Sequence, residues 1–222
     1  MARPFAVDPT IMTRIRPMMS IDIPTVVEMH TAAMGESLWA RLGPKFLQAL
    51  YSGLIDNDRF LGFVYLEDNT VLGFIAGSTN TPEMMSEVFR SHGLLLASCA
   101  LPALRKPGVL FRLLETPFYF KNSSPGEEIV AESLFCSFAP NLRGKRISGH
   151  INKVLFDDLL SRGHQFVKVT TEVTNEGANR QLKSWGFDSK GTFQFYGKDM
   201  VAYVLDLTAS DRVEDISRHP SI

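Results

Sequence analysis

With 222 residues, 45% of them hydrophobic, the chain can bury a full core, most simply as one domain. Its 23 basic side chains are balanced by 24 acidic ones, which excludes the broad basic surface that general nucleic-acid binding needs. Two cysteines cannot build a disulfide framework, and five scattered histidines lack ligand spacing, so neither a stapled fold nor a metal site is expected.

The opening stretch MARPFAVDPTIMTRIRP lacks the continuous apolar run of a signal peptide. The most apolar stretch, GLLLASCALPAL, is too short to span a bilayer and is interrupted by Pro102 and then Arg105. A soluble, cytoplasmic protein without stable membrane insertion is expected, with Cys99 and Cys136 as buried thiols. Residues 1–12 read as a leader and 211–222 as a polar tail, leaving a domain over 13–210.

In chain order, TRIRPM is a short strand, and Asp22-Ile23-Pro24 opens an amphipathic helix with proline near its first turn. PKFLQALYSGLI carries Phe46, Leu47, Leu50 and Leu54 at helical spacing. FLGFVYLED and NTVLGFIAGST flank an Asp-Asn turn, which predicts a hairpin. EIVAESLFCSF is the fourth strand, ended by Pro140 and Asn141. Ile147 to Leu160 is helical and stopped by Gly163. QFVKVTTEV is a strand, NEGANRQLKSW a short helix closed by Gly186, and GTFQFYG and MVAYVLDL are the last strands. This order predicts an α/β (α+β) fold: a single mixed, mostly antiparallel central sheet flanked by helices.

Residues from about 82 to 126 break the rhythm and read as a helical insertion punctuated by Gly93, Pro102, Pro107 and Pro117. Its apolar residues, among them Leu94, Leu95, Leu96, Leu101, Phe111 and Phe118, have to pack on something. Three readings stay open: a structural lobe, a lid over the site hinged at glycines and prolines, and a surface for homodimer or lipid contact.

Three features carry chemistry. Alternation along the fourth strand groups Glu132 with Leu134, Cys136 and Phe138, against Ala131, Ser133, Phe135 and Ser137. Glu132 is then a carboxylate with apolar neighbours, suited to a general base or else paired structurally. The loop Arg143-Gly144-Lys145-Arg146 leads into a helix beginning Ile147-Ser148-Gly149. A basic, glycine-containing turn at a helix start is an anion cradle, or else a solvated basic turn. Asn175 stands at a strand end, where it caps the next helix or faces a ligand.

Together these pieces resemble the GCN5-related N-acetyltransferases from about Thr13 to Leu207. AESLFCSFAPNLRGKRIS resembles that family's fourth strand and its Q/R-x-x-G-x-G/A loop, and INKVLFDDLLSRG the helix that follows. NEGANRQLKSWGF is similar to its N-x-x-A…G-F segment. The resemblance implies an acyl-CoA N-acyltransferase fold whose fourth and fifth strands splay to admit acetyl-CoA (coenzyme A). It implies acetyl transfer to a primary amine of a small molecule by direct attack, with Glu132 as base. Backbone N–H groups near Cys136, Ser137 and Phe138 stabilise the oxyanion, and Arg143 to Gly149 hold the pyrophosphate. Asn175 counts with the cofactor-binding residues. Arg146 and Ser148 replace residues that are usually small, and Leu182 stands where a tyrosine acid is common. Tyr196 is the candidate substitute. These departures leave a second reading, a catalytically weak domain that binds CoA or a protein partner as a sensor or scaffold.

Overall fold

Asp22 ties the first strand to the first long helix. Arg16 reaches its carboxylate with both guanidinium nitrogens, at 2.6 and 2.8 Å, and the Met19 N–H donates to it at 2.8 Å. Burial alone would raise the Asp22 carboxyl, but these donors outweigh it and hold it below the usual carboxylate range. The computed structural model describes residues 7–35, 37–104, 129–195 and 197–208.

Within the expected leader, α1 (Pro9–Met12) is capped by Asp8, and Ile11 packs on the core. Then follow β1 (Ile15–Pro17), α2 (Ile23–Met34), the one-turn α3 (Leu38–Arg41) and α4 (Pro44–Ile55). Next come β2 (Phe60–Glu67) and β3 (Thr70–Ser78), joined at Asp68 and Asn69, whose φ angles of 49° and 62° suit a primed hairpin turn. Helix α5 (Thr81–Leu104) precedes β4 (Glu132–Phe138). The chain closes with α6 (Ile147–Ser161), β5 (Phe166–Glu172), α7 (Glu176–Ser184), β6 (Asp188–Phe195) and β7 (Lys198–Asp206).

The seven strands form one sheet in the order β1-β2-β3-β4-β5-β7-β6, antiparallel except between β4 and β5. Period-2 alternation sends Leu61, Phe63, Tyr65 and Ile75 to one face and Val64, Phe74 and Ala76 to the other. The first face is covered by α6 through Ile147, Ile151, Leu155 and Leu159, with Leu182 of α7. The second is covered by α2, α4 and α5 through Val26, Val27, Leu47, Leu50, Met84 and Val88. The mixed, mostly antiparallel sheet between helices is the expected fold.

Two expectations need correction. Gly93 and Pro102 do not break α5: the roughly 1 and 3 kcal/mol they cost are offset by burial of Met84, Met85, Val88, Leu96 and Ala100 along the same helix. Of the apolar residues expected to pack, Leu96 is buried, whereas Leu94, Leu95 and Leu101 are exposed. The rest of the predicted insertion from 105 onward lies outside the described residues, with its hinge candidates. The expected tail lies outside them too.

Gly77 lies where β3, β4 and α6 meet. A Cβ there would stand 2.9 Å from the Glu132 carbonyl oxygen and from a Leu155 methyl, whereas one at Gly93 would meet nothing within 4 Å. Gly77→Ala is therefore expected to destabilise by about 1–3 kcal/mol. Gly93→Ala, in a helix interior, is expected to stabilise by about 0.5–1 kcal/mol. Urea unfolding midpoints of the two variants check both signs.

Candidate functional site

Strand β4 is bonded to β3 along its whole length, but to β5 only through Glu132↔Lys168 and Ser133↔Val169. Beyond Ser133 the two strands part, and β5 pairs instead with β7 from Phe166 to Glu172. The parting coincides with a bulge in β4. Ala76 pairs with Phe135 and Gly77 with Ser133, so Leu134 is the extra residue. A bulge bends its strand and re-aims the side chains that follow. It also overturns the expected faces. Leu134 and Phe135 both pack on the α2–α4 side, and the Ser137 hydroxyl reaches the Met29 carbonyl of α2 at 3.4 Å. Phe138 instead packs on the α6 side with Ala131, away from Glu132's face.

The open end of this cleft leads straight into the basic loop. After a 3₁₀ turn at Pro140–Leu142, Gly144 has φ 81° and Arg146 φ 60°, ψ 15°, the left-handed conformation. The departure at Arg146 thus keeps the backbone shape a glycine would take, at a cost of about 1–2 kcal/mol. Arg146 caps α6 without a side-chain bond. Among the described residues, the amides of Gly144, Arg146, Ile147 and Ser148 have no hydrogen-bond acceptor, and Arg143 and Arg146, both exposed, have no ion-pair partner. Lys145 lies 3.8 Å from Glu67. Free amides, a helix N-terminus and two cations are the groups with which an anion pairs.

The loop is braced from beneath. His150 receives the Asp8 N–H on Nε2 at 2.9 Å and pairs through Nδ1 with the Arg146 carbonyl at 2.9 Å, which assigns the proton to Nδ1. Ser148 accepts a bond from Gln181 of α7 at 2.8 Å. Gly149 is buried in the first turn of α6.

Glu132 is 1% exposed, one residue before the point where β4 and β5 part, and its Oε2 lies 3.7 Å from Nζ of buried Lys168. The expected carboxylate is there, within an ion pair that the sequence reading did not identify. Lys168 is an isolated cation between Val167 and Val169, and that was its signal.

The thiols are not buried as expected: Cys99 is half-buried and Cys136 exposed. Desolvation pushes the Cys136 thiol up to about 11.

Asn175 does cap α7, accepting the Ala178 N–H at 3.2 Å. Asn179, missed in the sequence, does more at this turn. Its side-chain amide donates to the carbonyls of Glu172, Val173 and Asn175, and its oxygen accepts from the Tyr203 hydroxyl. Leu182 is buried in the core and brings no acid to the cleft. Tyr196 lies outside the described residues. Among the described residues, no group of three His, Cys, Asp or Glu side chains is placed to hold a metal ion, and no helix is long and apolar enough to cross a membrane.

Sequence reading also passed over His30. It occupies the buried stripe Val26, Val27, His30 of α2 and is 0% exposed, with Nδ1 2.9 Å from the Tyr51 hydroxyl of α4. Burial pulls the His30 ring down to about 4, and it pushes the Tyr51 hydroxyl well above its ordinary range.

No protein-family model matches the sequence, and no curated protein matches it. Solved structures do match in fold. The ribosomal-protein-S18-alanine N-acetyltransferase of Escherichia coli is 12% identical, covering 88% of this chain and 94% of its own, with a TM-score of 0.55. The ribosomal-protein-alanine N-acetyltransferase of Brucella melitensis is 17% identical over 87% and 99%, with a TM-score of 0.57. The yncA protein of Salmonella typhimurium, solved with its cofactor acetyl-CoA, is 14% identical over 89% and 95%, with a TM-score of 0.53.

The buried histidine generates a pH prediction. The unfolded chain binds a proton at His30 below its ordinary value of 6.5, but the folded chain resists until about 4. Stability from this residue is therefore intact above pH 6.5 and is lost as pH falls toward 4. Denaturant unfolding at about pH 7 and about pH 4.5 should show a loss that is smaller by about 2–3 kcal/mol in the double variant His30→Leu/Tyr51→Phe.

Proposed function

We propose that this chain, whose fold is that of the GCN5-related N-acetyltransferases, transfers an acetyl group from acetyl-CoA to a primary amine of a small molecule. The observation that carries the reading is the parting of β4 from β5 after Ser133, opening onto the amides and arginines at the start of α6. An extended pantetheine arm fits a strand whose open edge offers backbone donors and acceptors. A pyrophosphate fits the amides of Gly144 and Arg146 to Ser148, with Arg143 and Arg146 as charge-assisted donors. The fit of the residues to acetyl-CoA is thus chemical as well as topological.

Acetyl-CoA supplies the acetyl group as a thioester. The amine nitrogen forms the new C–N bond, the C–S bond breaks, and CoA leaves as its thiolate. Glu132, one residue before β4 and β5 part, takes the proton the amine loses, directly or through a water it orients, while Lys168 balances the carboxylate's charge. Backbone N–H groups in the stretch Cys136 to Phe138 serve the charge developing on the thioester oxygen. Cys136 is a poor acyl carrier, since a thiol raised to about 11 stays protonated at neutral pH. That favours direct attack.

A second reading rests on Leu182, which leaves the departing thiolate without an acid from α7: a domain that binds CoA, or a protein partner, as a sensor or scaffold. Thermal shift with CoA and acetyl-CoA, followed by thiol release with a panel of amines, separates the two. A shift with turnover supports the transferase, a shift without turnover the sensor, and no shift overturns both cofactor readings.

Two sets of variants sharpen the assignment. Arg143→Ala and Arg146→Ala, measured separately by calorimetry, should each weaken CoA binding by about 1–3 kcal/mol. Glu132→Gln should keep CoA affinity and lower turnover about 10²–10⁴-fold. Unchanged turnover across pH in that variant removes Glu132 from the mechanism.

A further inference from the structure

The His30–Tyr51 pair is an expensive feature of an otherwise apolar layer. Both side chains are 0% exposed, and the Tyr51 ring stands edge-on to Phe74 at 6.2 Å. Among the described residues, the Tyr51 hydroxyl has one partner, Nδ1 of His30, and Nε2 of His30 has none. The two groups share one hydrogen bond, so whichever way it runs one N–H or O–H of the pair is left without an acceptor. A leucine and a phenylalanine would fill this volume without an orphaned donor, so packing alone does not account for the pair.

What the pair touches does account for it. The His30 ring lies 4.9 Å from the ring of Phe135, tilted by 60°. The preceding residue, Met29, accepts the Ser137 hydroxyl through its carbonyl. The same turn of α2 thus holds Phe135 and Ser137, the residues that the Leu134 bulge turns toward it. Their strand has lost β5 on its other edge, so nothing in the ladder beyond Ser133 fixes its depth in the cleft from that side. The hydrogen bond to Tyr51 locks the imidazole against rotation, which a leucine of similar size would not achieve.

The geometry points to His30 and Tyr51 as positioning residues that brace the bulged, half-unpaired segment Phe135–Ser137 of β4 and so align its backbone N–H groups with the reacting thioester. This rests on the acetyltransferase reading. The brace acts on the reacting end of β4, while on the proposed reading the loop at the start of α6 holds the pyrophosphate, so it should show in kcat far more than in CoA affinity. Displacing a catalytic group by about 1 Å can cost about 10²-fold in rate.

The test compares Tyr51→Phe, His30→Asn and the double variant His30→Leu/Tyr51→Phe with the wild-type chain, using acetyl-CoA and the best amine from the panel. The double variant leaves no buried polar atom of the pair behind. It is expected to bind CoA as tightly as wild type, with kcat about 10–10²-fold lower and a KM for acetyl-CoA within about threefold. His30→Asn places an amide where Nδ1 stood, keeps the bond to Tyr51 and should restore most of kcat. Wild-type kcat in the double variant overturns the inference. Should that variant not fold, Tyr51→Phe, which removes one oxygen, decides on the same kcat criterion. Absence of turnover by the wild-type chain sinks the acetyltransferase reading, and this inference with it.

Discussion

A β-strand that leaves its neighbour inside a folded sheet exposes a row of N–H and C=O groups that nothing in the ladder will satisfy. Strand β4 does this after Ser133, and the rest of the architecture accommodates it. Its other edge stays bonded to β3 throughout, and β5 is bonded to β7 over its full length, so neither flanking strand can collapse across the gap. The bulge at Leu134 supplies the bend. The chain then turns through Pro140–Leu142 and starts a helix at the mouth of the gap, so a second set of unpaired donors faces the same space. An edge of backbone donors and acceptors, ending at a helix N-terminus, suits a long ligand with an extended polar arm and an anionic end.

Two buried polar pairs lie around the same strand. Glu132 and Lys168 meet on the first of the two rungs that β4 and β5 share, and His30 with Tyr51 lies against Phe135. Buried charges and polar groups weaken a fold unless they are paired, and even well-paired ones seldom exceed apolar residues in stability. Other buried charges lie apart from that strand, Asp22 with Arg16 and Lys153 with Asp157, while Leu155 packs against Gly77 in the ordinary way.

Much of the fold was legible because local rules and tertiary outcome agree. The hairpin was readable at Asp68-Asn69, since both residues tolerate the left-handed backbone the turn demands. Helix α4 was readable from its stripe of Phe46, Leu47, Leu50 and Leu54, and α6 from its apolar spacing and the glycine at its end. The basic turn at a helix start was also visible, because three cations there are a local pattern. The faces of β4 were misread: alternation is a property of an unbroken strand, and the bulge depends on how β3 pairs with it.

The sequence by itself determined which segments become strands and helices, where most of them end, and that a basic turn meets a helix start after the fourth strand. Those are matters of periodicity, backbone preference and charge, which operate over a few residues. The tertiary structure alone decided that Glu132 faces Lys168, that Ser148 meets Gln181 from 33 residues away, and that His30 meets Tyr51 beneath Phe135. It alone decided that β4 and β5 share two rungs and then separate. Each of these joins residues distant in the chain, and their meeting is fixed by the order and register of the strands. No local propensity encodes that order, because it follows from how the two apolar layers close on the sheet.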